Sequence, residues 1–187
     1  SNSREFLQFV GHGDNDCITF NQIYTYNKKR KKLNCINSFN TNASYQNEIV
    51  AADKNYVTIH NSDQPAEVGW ISWNIPYKYS KGKLVAATTS TTTVKSLIAN
   101  NKKDKYSKYF AKNQFVTAKK LTFYNGSKVA YTVPKGKVVT LTKLSLSKDV
   151  IYLQFKYGKK TGWAHVNGTK YNFSKPWFQG VNARLAG

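Results

Sequence analysis

The residues of this 187-residue chain that could do chemistry are few, and their spacing constrains them. Cys17 follows Asp16, and His60 ends a later apolar stretch, Tyr56–His60. A thiol becomes a nucleophile when it ionises, and a helix N-terminus or a nearby imidazolium promotes that state. The residues after Cys17, from Ile18 to Tyr26, alternate as a strand does and would supply no helix dipole. A structural cysteine is therefore expected, with a peptidase using Cys17 kept as an alternative. Cys17 and Cys35 lie 18 residues apart without C-x-x-C spacing, which leaves both a disulfide and two thiols open. The three histidines, His12, His60 and His165, have no neighbours at ligand spacing, so neither a metal nor a cofactor is expected. Paired carboxylates for glycoside hydrolysis are nearly excluded from residues 96–187, which hold only Asp104 and Asp149. The chain is expected to be non-catalytic.

What remains is the chemistry of aromatic rings and lysines. The net charge is +20, unevenly placed: residues 1–95 carry eleven Lys/Arg against seven acids, and residues 96–187 carry eighteen against two. Such a field attracts polyanions. Base-specific readout favours Arg, which occurs only three times, so diffuse contact with a flexible phosphate polymer is expected ahead of nucleic acid. Aromatic faces stack on sugar rings while interleaved lysines meet phosphates. Candidate ligand-binding residues are Tyr77, Lys78, Tyr79 and Lys81 in the first half. In the second half they are Lys156, Lys159, Lys160, Lys170, Tyr171, Phe173, Lys175 and Trp177, with Trp73 and Phe178 as further platforms. Trp70 and Trp163, each in a strand-like segment, are expected to be structural core residues. The basic run Lys28–Lys32 reads as a solvated hairpin tip, with a nucleic-acid patch as the competing reading.

These side chains need a scaffold, and its signature is repetition. Val68-Gly69-Trp70-Ile71-Ser72-Trp73-Asn74 returns 93 residues later as Thr161-Gly162-Trp163-Ala164-His165-Val166-Asn167. A fixed-offset echo implies one small unit built twice. Aromatic and β-branched enrichment, broken by Asn/Gly/Lys turns, predicts mainly β structure. In the first half, strands are predicted at Ile18–Tyr26, Tyr45–Ala51, Tyr56–His60, Val68–Asn74 and Ile75–Tyr79, with a looser loop near 34–47. In the second half, Val138–Leu146, Val150–Phe155 and Thr161–Val166 read as strands. Turns there are expected at Tyr124–Ser127, Val133–Lys137 and Tyr157–Lys160. The organisation expected is an entry segment at 1–17, a first unit at 18–85, a Thr/Ser-rich linker at 86–114 and a second unit at 115–187. Residues 94–113 are the only stretch with helical character. Each unit is expected to form a small SH3-like barrel. No apolar run approaches the ~20 residues needed to span a bilayer. The start at Ser1-Asn2-Ser3 suits a processed chain.

Tyr152 to Trp163, with Gly158 and Gly162-Trp163 closing it, resembles the Gly-Trp approach of SH3-type wall-binding repeats in Gram-positive surface proteins. The Lys/Tyr/Thr-rich idiom and the Thr-rich linker are similar to the anchoring repeats of lactobacillus-type surface-layer proteins and to autolysin and endolysin binding tails. This resemblance implies a secreted protein at the cell wall or cell surface. It would anchor a larger protein to teichoic-acid-like polymer, lipoteichoic acid or peptidoglycan. The order of Asp16-Cys17 and His60 loosely resembles wall-hydrolase cysteine peptidases, but the Ser-Gly that usually follows the cysteine is missing.

Overall fold

A computed structural model describes residues 5–14, 18–39, 47–63, 65, 67–88, 90–91, 93–96, 105–147, 150–167 and 176–181. The chain is mainly β and divides into two compact units that are not contiguous in sequence. The first comprises Ser1–Asn61 and Ile75–Thr88; the second comprises Ser62–Asn74 and Thr89–Gly187. Both Gly-Trp segments therefore belong to the second unit, rather than one to each.

In the first unit, β1 (Phe6–His12), β2 (Ile18–Asn27) and β3 (Lys32–Ser38) form an antiparallel sheet in that order. A second sheet runs through β4 (Glu48–Ala52), β5 (Val57–Asp63), β6 (Ile71–Ser80) and β7 (Lys83–Ala86), of which residues 62–63 of β5 and 71–74 of β6 belong to the second unit. Alternation explains the packing, because every second side chain points to one face. Ile23, Ile36, Val57, Ile59 and Leu84 form the core, with Phe6, Phe39, Ile49, Tyr77 and Tyr79 packed around it. Part of the expected entry segment is strand β1, and Lys28–Lys31 cap the β2–β3 hairpin as a turn. Residues 34–38, where the looser loop near 34–47 was expected to begin, belong to strand β3: Cys35 and Asn37 alternate with Ile36, which reaches the core. The two strands predicted at 68–74 and 75–79 are one strand, β6, which begins only at Ile71.

The second unit adds β8 (Ser90–Thr91), β9 (Thr93–Ser96), the short helix α1 (Ser107–Phe110) and β10 (Gln114–Val116). Next come β11 (Leu121–Asn125), β12 (Lys128–Val133), β13 (Val138–Ser147), β14 (Val150–Tyr157) and β15 (Lys160–Asn167). The Thr-rich stretch read as a linker thus supplies two strands: β8 pairs with β13, and β9 pairs with the start of β6. The main sheet follows the order β10-β13-β14-β15-β11-β12. That path does not return to its starting strand, so the closed barrels expected from the sequence are not formed among the described residues. All three turns predicted in this half are present. At Gly158, φ is 58°, the left-handed conformation that a two-residue hairpin turn needs at its first position. Phe115, Phe123, Phe155 and Phe178 are fully buried, and Phe115–Phe178 and Phe155–Phe178 ring centroids lie 4.8 and 5.3 Å apart.

Candidate functional site

The local sequence Tyr152-Leu153-Gln154-Phe155-Lys156 sends Leu153 and Phe155 into the core and leaves Tyr152, Gln154 and Lys156 on the outer face. On β15, Gly162 and Val166 are buried, whereas Thr161, Trp163 and His165 occupy the opposite face. Antiparallel register then sets these side chains in rows. Trp163 lies opposite Gln154 on one side and Tyr124 of β11 on the other, and Gln154 in turn faces Lys143 of β13. In the next row His165 faces Tyr152, their rings 6.0 Å apart and tilted by 49°. In a third row Thr161 faces Lys156.

A cleft of about 570 Å³ opens over this face, with Tyr124, Tyr152, Trp163, His165 and Trp177 among its walls. That volume falls in the range of small-molecule sites, roughly 300–1,000 Å³. Trp177 enters from the C-terminal segment and is held by its backbone. Its N–H donates to the Glu67 carbonyl at 2.9 Å, and its own carbonyl accepts from the Ala118 N–H at 2.8 Å. The adjacent Phe178 is an anchor, bridging to Thr117 while its ring fills the core. Gln154 is oriented by Thr142, whose hydroxyl lies 2.9 Å from its Oε1 and 3.1 Å from its backbone carbonyl. The floor beneath the aromatic face is stiff. Tyr131 donates a 2.6 Å hydrogen bond to the Phe155 carbonyl, and burial pushes its hydroxyl pKa up to about 12.

Electrostatically the face is one-sided. Between Lys105 and Val181 the sequence has a single acid, Asp149, which lies outside the described residues. Lys143 and Lys156 are exposed on the aromatic face itself; Lys159 and Lys160 are exposed at the β14–β15 turn. No group of three or more His, Cys, Asp or Glu able to hold a metal occurs among the described residues.

The sequence-predicted residues separate into three groups. Trp177 and Lys156 belong to the cleft or its surround, and Lys159 and Lys160 lie at the end of the same hairpin. Tyr77 and Tyr79 do not face outward: they pack on the first unit's core, Tyr79 edge-on to Phe6 at 6.1 Å, and burial raises the Tyr77 pKa. Lys78 sits over the Tyr56 ring at 5.4 Å, and Lys81 is in the β6–β7 turn. Trp73 and Phe178, considered as platforms, are buried in the core. Lys170, Tyr171, Phe173 and Lys175 lie outside the described residues, as does Cys17; Cys35 is a free, exposed thiol. Trp163, expected in the core, is on the outer face, and Trp70 is 36% exposed. Sequence reasoning passed over Tyr124, Tyr152, Gln154 and His165 as ligand contacts; Lys143 was expected only within a diffuse positive surface. The signal was available in β15, where Trp163 shares its parity with Thr161 and His165 rather than with Val166.

Comparison with protein-family models, curated proteins and solved structures finds no match to this chain.

Proposed function

We propose that the second unit is a non-catalytic binding domain for an anionic cell-wall glycopolymer, and that it fastens the protein to the wall. The carrying observation is that Trp163 stands on the outer face beside Tyr124, in a cleft also walled by Tyr152, His165 and Trp177. Flat rings of this kind suit the apolar faces of sugar or polyol units. Gln154 supplies an oriented amide within the row, and Lys143 and Lys156 supply point charges for phosphates. The Gly-Trp resemblance supports the same reading, with the β11–β12 hairpin and the β13–β14–β15 meander as the parts of an SH3-like unit.

Aromatic rings beside lysines also suit single-stranded nucleic acid, so the test must separate the two. The full chain is sedimented with purified Gram-positive wall, with wall stripped of its secondary polymer, and with wall plus excess single-stranded DNA. Binding to intact wall, loss on stripping and weakening by salt are the expected results. Undiminished binding to stripped wall would shift the ligand to peptidoglycan. Complete competition by DNA would replace the reading with nucleic-acid binding.

A further inference from the structure

The three-stranded sheet of the first unit has an outer face that its own core does not use. Ile23 and Thr25 of β2 point inward, whereas Leu7, Phe9, Phe20, Tyr26 and Leu33 are each between 40 and 46% exposed. The register gathers them on one surface: Leu7 faces Tyr24, Tyr26 faces Leu33, and Phe20 faces Gly11. The Phe20 ring lies directly over Gly11, where an added Cβ would come within 2.2 Å of it. Phe9 and Tyr24 pack edge to face at 5.5 Å. From Phe20 to Tyr26 the face is about 20 Å long at ~3.3 Å per residue. Exposed apolar patches on this scale mark interaction sites.

The end of this face identifies what it meets. Directly beyond the Tyr26–Leu33 pair, the chain turns through Lys28, Lys29, Arg30 and Lys31 into Lys32, and all five are exposed. The Asn27 side-chain oxygen accepts from the Arg30 N–H at 3.0 Å and shapes the turn. Against these five cations, Glu5, just ahead of β1, is the one acid close to this end in register among the described residues. The apolar face presents rings and aliphatic chains side by side. The charged tip is four-fifths lysine, a point charge suited to diffuse anions rather than to planar carboxylates.

We propose that this face docks peripherally on an anionic lipid bilayer, with Tyr26, Leu33 and Leu7 entering the headgroup boundary and the Lys28–Lys32 tip meeting phosphates. Interfacial aromatic side chains and a polybasic cluster are the two ingredients such binding requires. The inference is independent of the wall-binding cleft. The test is co-sedimentation of the full chain with phosphatidylcholine vesicles, with or without phosphatidylglycerol. Binding to the anionic vesicles alone is expected. Lys28→Glu/Lys29→Glu should weaken it at least tenfold, whereas Lys135→Glu/Lys137→Glu, which removes similar charge from the second unit, should change it less than twofold. Tyr26→Ser/Leu33→Ser should abolish the fraction that survives high salt, with circular dichroism confirming the fold. The proposal fails if the wild-type chain ignores anionic vesicles at low salt. It fails equally if the two lysine pairs weaken binding alike, if the apolar pair leaves salt resistance intact, or if soluble polyglutamate displaces the protein from vesicles.

Discussion

Gly69-Trp70 and Gly162-Trp163 hold the same place in the repeated segment, but their backbones differ. Gly69 has a φ of 73° and lies ahead of β6, its N–H donating to the Pro65 carbonyl at 2.8 Å. Gly162 lies inside β15, opposite Phe155. There the glycine is needed for space: an added Cβ would meet Phe123, Ala130 and Tyr131 at 2.9–3.1 Å. The first glycine makes a bend, the second permits close packing. Three residues further on the copies converge, because Trp73 and Val166 are each 1% exposed. The repeated element is thus a buried anchor at its end, while the Gly-Trp pair was put to separate uses. In the second copy, that use is to set a half-buried tryptophan into the cleft from a strand whose other side is core.

The largest effect should come from the shared anchor. Trp73→Ala should cost about 3–5 kcal/mol in urea unfolding, the usual loss for a buried large aromatic. Trp70→Ala, at a surface position, should cost well under ~1 kcal/mol. Equal losses at both positions would erase the contrast. Next, Gly162→Val should destabilise by about 1–3 kcal/mol through overpacking. Gly69→Ala should lose about 1–2 kcal/mol from left-handed backbone strain. The two can be told apart because Tyr131→Ala should make room for the valine and recover part of the Gly162 loss, with no such rescue at Gly69.

Trp163→Ala should leave the melting temperature within a few degrees yet weaken wall-polymer binding tenfold or more, about 1.4 kcal/mol. The Trp70→Ala protein should bind as the wild type does. A reversed pattern would move the site to the first copy. The smallest effect concerns the floor under Gly162. Tyr131 holds its proton more tightly when folded, with a pKa of about 12 against an ordinary value near 10. Its contribution to stability is therefore complete below about pH 10 and declines as pH rises toward 12. Tyr131→Phe should show a shallower loss of stability across that alkaline window, read from urea midpoints at successive pH values.

Much of the second unit was legible in its sequence because local signals there agree. Asn125-Gly126-Ser127 and Gly158-Lys159 are hairpin turns, and the alternation of β14 gives its inner face directly. The first unit was harder to read. The mostly polar run 34–38 looks like loop, and only Ile36 reaching the core makes it a strand. Tyr77 and Tyr79 were placed on the wrong face because a tyrosine suits either side of a sheet. Their parity with Ile75, which is buried, settles it. Lys159 was placed correctly in a turn, since turn chemistry is local.

The sequence by itself determined the β class, most turns and the asymmetry of charge. Those properties depend on residue type and near neighbours. It could not determine that both Gly-Trp segments belong to one unit, or that the sheet paths stay open among the described residues. Nor could it show that Tyr124, Trp163 and Gln154 form one row walled by Trp177. Those facts depend on the pairing of strands far apart in the chain, and on a hydrogen-bond register in which a one-residue slip would turn Trp163 back into the core.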